Sequence, residues 1–167
     1  MISEERVLPE DFLSGNIIIA DAIARFHLEE SRDRMSDVLD SFWQRMGENG
    51  YIMIPVLDPK PESGSSDSDC IGTVFDCYGN TFIPHHVSTT DGRKWLAAFT
   101  SDEEYRKGEH VMVLIHSIYG LLDNCRDMAE DGIIINPWGQ YFLLTKKMIN
   151  GIFDEIEKTE NQSRPSP

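Results

Sequence analysis

The chain has 167 residues, of which 29 are Asp or Glu and 15 are Lys or Arg, so its formal net charge at pH 7 is -14. A polypeptide of this length can bury roughly 70% of the surface that its unfolded form exposes, so it is expected to fold as one domain without disulfides or a metal. The acidic charge argues against binding to nucleic acid or to anionic membrane surfaces, because both require a basic protein surface.

Cysteine usage and the N-terminal segment indicate the cellular compartment. The cysteines are scattered without a C-x-x-C pair, which fits neither a disulfide framework nor a zinc site, and reduced thiols are expected at Cys70, Cys77 and Cys125. The N-terminus lacks the basic and apolar regions of a signal peptide, and no apolar run approaches the roughly 20 residues of a membrane span. These features predict a cytoplasmic protein.

The first third of the chain is predicted to form two helices, because apolar residues recur there at helical spacing. The first helix buries Ile18, Ile19, Ala22, Ile23 and Phe26, and the second buries Val38, Leu39, Phe42, Trp43 and Met46. Ser36 is the predicted N-cap of the second helix. Residues 47–50 contain the Gly and Asn that tolerate a left-handed backbone where a helix ends.

A strand is predicted over residues 51–57, and Pro55 favours an edge or bulged position for it because proline lacks a ladder donor. The residues that follow, 58–70, are expected to form a mobile acidic loop, since a composition rich in Pro, Ser, Gly and Asp buries little apolar surface. Residues 71–77, 81–88 and 94–99 are then separated by Gly79-Asn80 and Asp91-Gly92. Both dipeptides favour tight hairpins, so an antiparallel meander is predicted, with Pro84 leaving one side of its strand unpaired.

The second half of the chain is predicted to alternate helices and strands. Ser101 and Glu104 have the spacing of a capping box for a short helix that begins at Asp102. A longer central helix is predicted after Gly108, carrying Leu114, Ile118, Leu121, Leu122, Cys125 and Met128 on one stripe. A buried strand over residues 133–135 then leads into a type I turn at residues 136–139, an antiparallel strand over residues 141–144 and a last helix that buries Met148, Ile149, Ile152, Phe153 and Ile156.

These elements predict an α+β fold: a single domain with a mixed, largely antiparallel β-sheet of about six strands, packed by N-terminal, central and C-terminal helices. The domain is expected to span residues 17–157. An N-terminal extension over residues 1–16 precedes it, and a disordered tail over residues 158–167 follows it.

The connection between the strands at residues 94–99 and 133–135 is long enough for a crossover, so these strands are expected to run parallel and to end at one edge of the sheet. Ligands tend to bind outside that edge. The predicted binding residues there are Thr100, Ser101, Asn136 and Trp138. In the alternative interpretation Ser101 only caps a helix, Asn136 only forms a turn, and the Trp138 ring folds back onto the sheet.

Other candidate site residues lack a defining pattern. His85 and His86 are adjacent on a strand and should point to opposite faces, and His110 and His116 fall on different sides of the predicted central helix. The segment that begins at Asp67 lacks the Glu that closes a calcium loop. No H-E-x-x-H, G-x-S-x-G or G-x-x-x-x-G-K motif occurs, so we expect no metal, no cofactor and no catalytic residue.

Three segments carry a family resemblance: DGRKWLAAFTS at residues 91–101, GIIINP at residues 132–137 and YFLL at residues 141–144. Together they resemble the N-terminal domain of the SseB family, the bacterial enhanced serine sensitivity proteins. The resemblance covers residues 81–156 strongly and the helical first third loosely. It implies a bacterial cytoplasmic domain of helices and strands, and it brings with it no catalytic mechanism or cofactor. A second domain like that of longer members is not expected after the last helix, so functions of that domain are not carried over.

Two functional hypotheses follow. The first is a non-catalytic binding or regulatory module that contacts a basic protein partner through Thr100, Ser101, Asn136 and Trp138, because the acidic surface favours such a partner. The second is an enzyme or small-ligand carrier that uses a crevice at the same edge. Self-association through the strands that contain Pro55 or Pro84 is a further hypothesis.

Overall fold

The computed structural model describes residues 11–57, 75–77, 80–108 and 112–163, and over these ranges it contains six helices and eight strands. The helices are α1 Asp11–Ser14, α2 Ile17–Leu28, α3 Arg32–Gly47, α4 Asp102–Tyr105, α5 Ile118–Arg126 and α6 Lys146–Ser163. The strands are β1 Tyr51–Leu57, β2 Phe75–Cys77, β3 Asn80–Pro84, β4 His86–Ser88, β5 Lys94–Ala98, β6 Met112–Ser117, β7 Gly132–Ile135 and β8 Phe142–Thr145. The predicted α+β fold class is confirmed.

The strands form two four-stranded sheets, in the orders β2-β3-β1-β6 and β4-β5-β7-β8. Every pairing is antiparallel except that of β5 with β7, which is parallel. The largely antiparallel character predicted for the sheet is therefore confirmed, whereas a single sheet of about six strands is not. The successive pairs of the predicted meander are present, but β2 and β3 lie in one sheet and β4 and β5 in the other.

The two sheets meet where β3 continues into β4. At this junction the His85 backbone N–H donates to the Pro55 carbonyl over 3.0 Å, while the His85 carbonyl accepts from the Ala97 N–H over 3.3 Å. Pro55 has no N–H that could donate to the His85 carbonyl, so this carbonyl accepts from β5 instead. At His85 the strand therefore stops pairing with β1 and begins to pair with β5. Met53 and Phe99 also exchange two backbone hydrogen bonds between the sheets, 2.8 and 3.1 Å long.

The sequence favoured an edge or bulged strand for Pro55, and the edge position is wrong, because β1 is paired on both sides. Six consecutive residues of β1 pair with β6 on one side, and the end of β1 pairs with β3 on the other. Proline is tolerated in this interior strand because its N–H is missing only at the junction, where no donor is needed. Self-association through an exposed strand at Pro55 loses its basis.

Residues 112–117 form strand β6, and the central helix begins only at Ile118. The prediction of one helix from Gly108 onward is wrong for this segment, so Leu114 and His116 lie on a strand. Ser117 caps α5 by accepting a hydrogen bond from the Gly120 N–H over 3.0 Å. The spacing of four between Leu114 and Ile118 fits a helical stripe, but the ladder with β1 holds this segment extended.

The main core lies between the helices and one face of both sheets. It includes Ile19, Phe42, Ile54, Leu121, Ile133 and Ile149. A smaller cluster of Trp95, Ala97 and Ile134 lies on the opposite face of β5 and β7, as the alternation of strand side chains requires. Cys125 is fully buried, as predicted, and burial raises the pKa of its thiol to about 11.

Several predicted boundaries shift. The N-cap of α3 is Ser31, which accepts from the Arg34 N–H over 3.2 Å, rather than Ser36, which lies inside the helix. Helix α6 continues through Ser163 instead of fraying into a tail at residue 158. The predicted N-terminal extension also includes α1 and the buried Asn16, so its last residues belong to the fold.

Some expectations lie outside the described residues: the acidic loop at 58–70, the calcium-like segment that begins at Asp67, the thiol of Cys70, the Gly79 turn and His110. Within the described ranges, no helix combines the length and the apolar character that crossing a lipid bilayer requires.

Candidate functional site

The ends of β5 and β7 lie side by side, as the sequence predicted. Ala98 pairs with Ile135 in parallel register, and the Asn136 N–H donates to the Ala98 carbonyl over 2.8 Å. Thr100, Ser101, Asn136 and Trp138 therefore follow neighbouring strands at one edge, which we call the strand-end edge. The central geometric prediction is confirmed.

Thr100 and Asn136 tie the two strand ends together. The Thr100 N–H donates to Asn136 Oδ1 over 2.9 Å, and Asn136 Nδ2 donates to Thr100 Oγ1 over 3.0 Å. Both residues are buried, with exposures of 1% and 3%. Asn136 has a φ of 53°, in the left-handed region that Asn tolerates better than most residues. The Gly139 N–H bonds to the Asn136 carbonyl, which closes the predicted turn.

Asn16 extends this hydrogen-bonded network to the helices. Its Nδ2 donates to the carbonyls of Thr100 over 3.0 Å and Tyr51 over 2.7 Å, and its Oδ1 accepts from Arg45 Nε over 2.9 Å. Asn16 is buried, so each of these bonds replaces one that water would make. One amide thus connects α3, the start of β1 and the segment that follows β5.

Arg45 is the charged end of the network. Its side chain is 8% exposed and its Nη1 lies 3.0 Å from Glu48 Oε2. Hydrogen bonds from Gln44 and Arg45 lower the pKa of the Glu48 carboxyl. Gly15 and Gly50 flank the guanidinium, and a Cβ at either would collide with it.

Sequence reasoning missed Asn16 and Arg45, although one signal was available for the arginine. Arg45 lies three residues after Phe42 and seven after Val38, on the stripe of α3 that faces the core. A charged residue at such a position indicates a buried polar partner. Asn16 carries no comparable local signal, because its partners are distant in the chain.

Ser101 caps α4, as predicted, by accepting from the Glu104 N–H over 3.2 Å. The carboxylate of Glu104 lies 2.7 Å from Lys107 Nζ. The first turn of α4 carries Asp102, Glu103 and Glu104, and Asp102 pairs with Arg106, so this side of the strand-end edge keeps a small excess of negative charge.

Trp138 folds back onto the strand end yet stays 38% exposed. Its ring centroid lies 4.8 Å from that of Phe99 and 6.4 Å from that of Tyr105. Gly108 lies so close to the ring that a Cβ there would overlap it. The indole ring is therefore fixed by packing on one side and exposed to solvent on the other.

Tyr141, at the other end of the same turn, is a second partly exposed aromatic residue at 49%. Its carbonyl accepts a 2.7 Å hydrogen bond from the His27 ring, which fixes the turn against α2. The Tyr141 ring also packs edge-to-face on the His27 ring at a centroid distance of 6.1 Å. The strand-end edge therefore presents two packed aromatic rings to solvent, while Thr100 and Asn136 lie buried beneath it.

The histidines predicted to face opposite sides have separate surroundings. His86 Nε2 lies 2.5 Å from Oε1 of the buried Glu130, in line with a hydrogen-bonded role. The backbone of His85 forms the junction between the sheets. Among the residues that the structure describes, no three His, Cys, Asp or Glu side chains are grouped as a metal site requires.

Comparison with known proteins adds no relative. No protein-family model matches the chain, and neither a curated protein nor a solved structure matches it.

Proposed function

We propose that this protein is a non-catalytic, cytoplasmic binding or regulatory module of the SseB type, which recognises a basic protein partner through the strand-end edge. The observation that carries the proposal is the anchored, partly exposed ring of Trp138, held against Phe99 and Tyr105. Rigid aromatic side chains bind partners well because little conformational entropy is lost on contact.

The hydrogen bonding at the edge favours binding over chemistry. Thr100 and Asn136 direct their polar atoms at each other and are buried, so they fix the surface from beneath. Reaction chemistry at these two residues, as the enzyme alternative requires, would have to break those bonds first.

Charge supports a basic partner. The chain carries a net charge of -14, and the first turn of α4, the helix that contains Tyr105, carries three acidic residues, of which Asp102 and Glu104 pair with Arg106 and Lys107. Lysine or arginine side chains around an apolar anchor would complement this surface and accelerate encounter with it.

Affinity capture from a bacterial cytoplasmic extract, followed by titration of the captured protein, tests the proposal. Trp138→Ala is expected to weaken binding at least about tenfold, because buried tryptophan anchors dominate interface energies. Trp138→Phe should retain more of the affinity, since an aromatic ring still occupies this position.

Ile17→Ala is the control, since it removes an exposed apolar side chain from α2, outside the strand-end edge, and should leave this interaction unchanged. Equal affinity of wild type and a folded Trp138→Ala variant would refute the proposal. A small molecule that co-purifies with wild type, and is lost from Trp138→Ala, would instead support the ligand-carrier alternative.

A further inference from the structure

A second surface, on other elements of the molecule, has the character of a binding groove. Helices α3, α5 and α6 line an open groove with a volume of about 390 Å³. Trp43, Met46, Tyr119 and Ile156 supply its apolar lining, and Thr159 and Glu160 lie along its α6 side. We call this the helical groove.

Aromatic rings remain exposed at the helical groove. Trp43 is 45% exposed and Tyr119 is 50% exposed, whereas the core residues beneath them are buried. The Tyr119 ring packs edge-to-face on Phe153 at a centroid distance of 5.4 Å, so its position is fixed. Exposed aromatic rings beside an apolar groove, one of them fixed by packing, are typical of a recognition surface.

One carboxylate, Glu160, lines the helical groove, and two others lie one helical turn from its aromatic rings. Asp40 lies three residues before Trp43, Asp123 four after Tyr119 and Glu160 four after Ile156, and all three acidic residues are exposed. Residues at these separations are neighbours on a helix surface. Every helix that contributes an apolar side chain to the groove therefore places a carboxylate one turn away from it.

The cations near the groove do not reverse this charge. Arg126 lies 3.6 Å from Asp123 and stacks on the Phe153 ring, and Lys158 lies 3.4 Å from Glu155. From Asp154 onward, α6 carries Asp154, Glu155, Glu157 and Glu160 against Lys158 alone. The carbonyl end of α6 adds a partial negative charge.

We propose that the helical groove binds the apolar face of a basic amphipathic helix from a partner protein. Helix-in-groove recognition uses apolar anchors on successive turns of the bound helix, which the rings of Trp43 and Tyr119 would contact. Lysine or arginine side chains beside those anchors would meet Asp40, Asp123 and Glu160. Charge complementarity thus selects a cationic helix, and it disfavours an acidic one such as a helix of a second copy.

The test uses labelled model peptides of about 15 residues, or about four helical turns, in fluorescence anisotropy. One peptide carries leucines at helical spacing with lysines elsewhere, the second replaces every lysine by glutamate, and the third scrambles the first so that the leucine stripe is lost. The leucine–lysine peptide should bind at least about tenfold more tightly than either of the others.

Variants assign the binding to the helical groove. Trp43→Ala should weaken the leucine–lysine peptide at least about tenfold, whereas Leu28→Ala, which removes an exposed apolar side chain from the end of α2, should leave its affinity unchanged. Glu160→Lys, a surface change, should weaken that peptide and strengthen the leucine–glutamate peptide, and it decides the matter if Trp43→Ala does not fold.

The proposal fails if the scrambled peptide binds as tightly as the leucine–lysine peptide, because charge alone would then explain the contact. It also fails if folded groove variants bind like wild type, or if light scattering shows self-association that Trp43→Ala abolishes. Because the strand-end edge is tested by Trp138→Ala, the two proposals can fail independently.

Discussion

At the scale of single residues, Asn136 combines a backbone and a side-chain requirement. Its φ of 53° lies in the left-handed region, which only Gly, Asn and Asp adopt at little cost. Its side-chain amide also bonds both the N–H and the hydroxyl group of buried Thr100. Glycine would meet the first requirement and not the second. The turn could be predicted from N-P-W-G, but the amide's partner could not, because Thr100 lies 36 residues away in the chain.

Asn136→Ala should lower the free energy of unfolding by about 2–4 kcal/mol, because it leaves the Thr100 N–H unpaired and places alanine in the left-handed region. Asn136→Gly keeps the backbone conformation and should cost about 1 kcal/mol less. Urea denaturation of the two variants and wild type measures both values. Equal losses for alanine and glycine would show that the backbone requirement contributes nothing.

At the scale of helices and strands, the local hydrophobic pattern predicts an element correctly where no tertiary contact favours the other element type. The apolar stripes of α2 and α6 and the run of isoleucines in β7 each predicted the right element. Strand β6 was misassigned, because residues 112–118 fit a helical stripe almost as well as a strand and only the ladder with β1 decides between them. The sequence also predicted the wrong N-cap for α3, because Ser31 and Ser36 both precede its apolar stripe and Ser36 is the nearer of the two.

Ser31 and Ser36 provide a matched pair on the same helix. Ser31→Ala should cost about 1 kcal/mol of stability, because the Arg34 N–H loses its acceptor. Ser36→Ala lies in the helix interior and should change stability by less than about 0.5 kcal/mol, since alanine is the better helix former. Thermal denaturation of both variants measures the difference. A larger loss at Ser36 would mean that the helix begins there.

At the scale of the whole molecule, the buried polar network determines how the helices sit on the sheets. Arg45 and Asn16 connect α3 to the chain at Tyr51 and Thr100, which are 35 and 84 residues from Asn16 in sequence. Such long-range bonds form only after both sheets are assembled, so no local pattern specifies them. The strand-end edge could nevertheless be predicted, because the connection between β5 and β7 is long enough for the crossover that parallel strands require.

Arg45→Ala should destabilise the protein by roughly 2–4 kcal/mol, because it opens a void beside Gly15 and Gly50 and leaves Asn16 Oδ1 buried without a donor. Arg34→Ala on the same helix is the control. Arg34 is 38% exposed and pairs with Glu29 and Asp37 on the surface, so its loss should cost less than about 0.5 kcal/mol. Chemical denaturation that found equal costs would refute a special role for the buried arginine.

The change of partners at His85 also bears on how the molecule moves. Two sheets can rotate about a hinge when the segment that joins them makes no cross-strand hydrogen bonds. Here the joining residue, His85, is hydrogen-bonded to Pro55 on one side and to Ala97 on the other. A rotation of one sheet against the other would break both of these hydrogen bonds and the two between Met53 and Phe99. The molecule should therefore bind its partners without a change in the angle between its two sheets, and only side chains should change conformation.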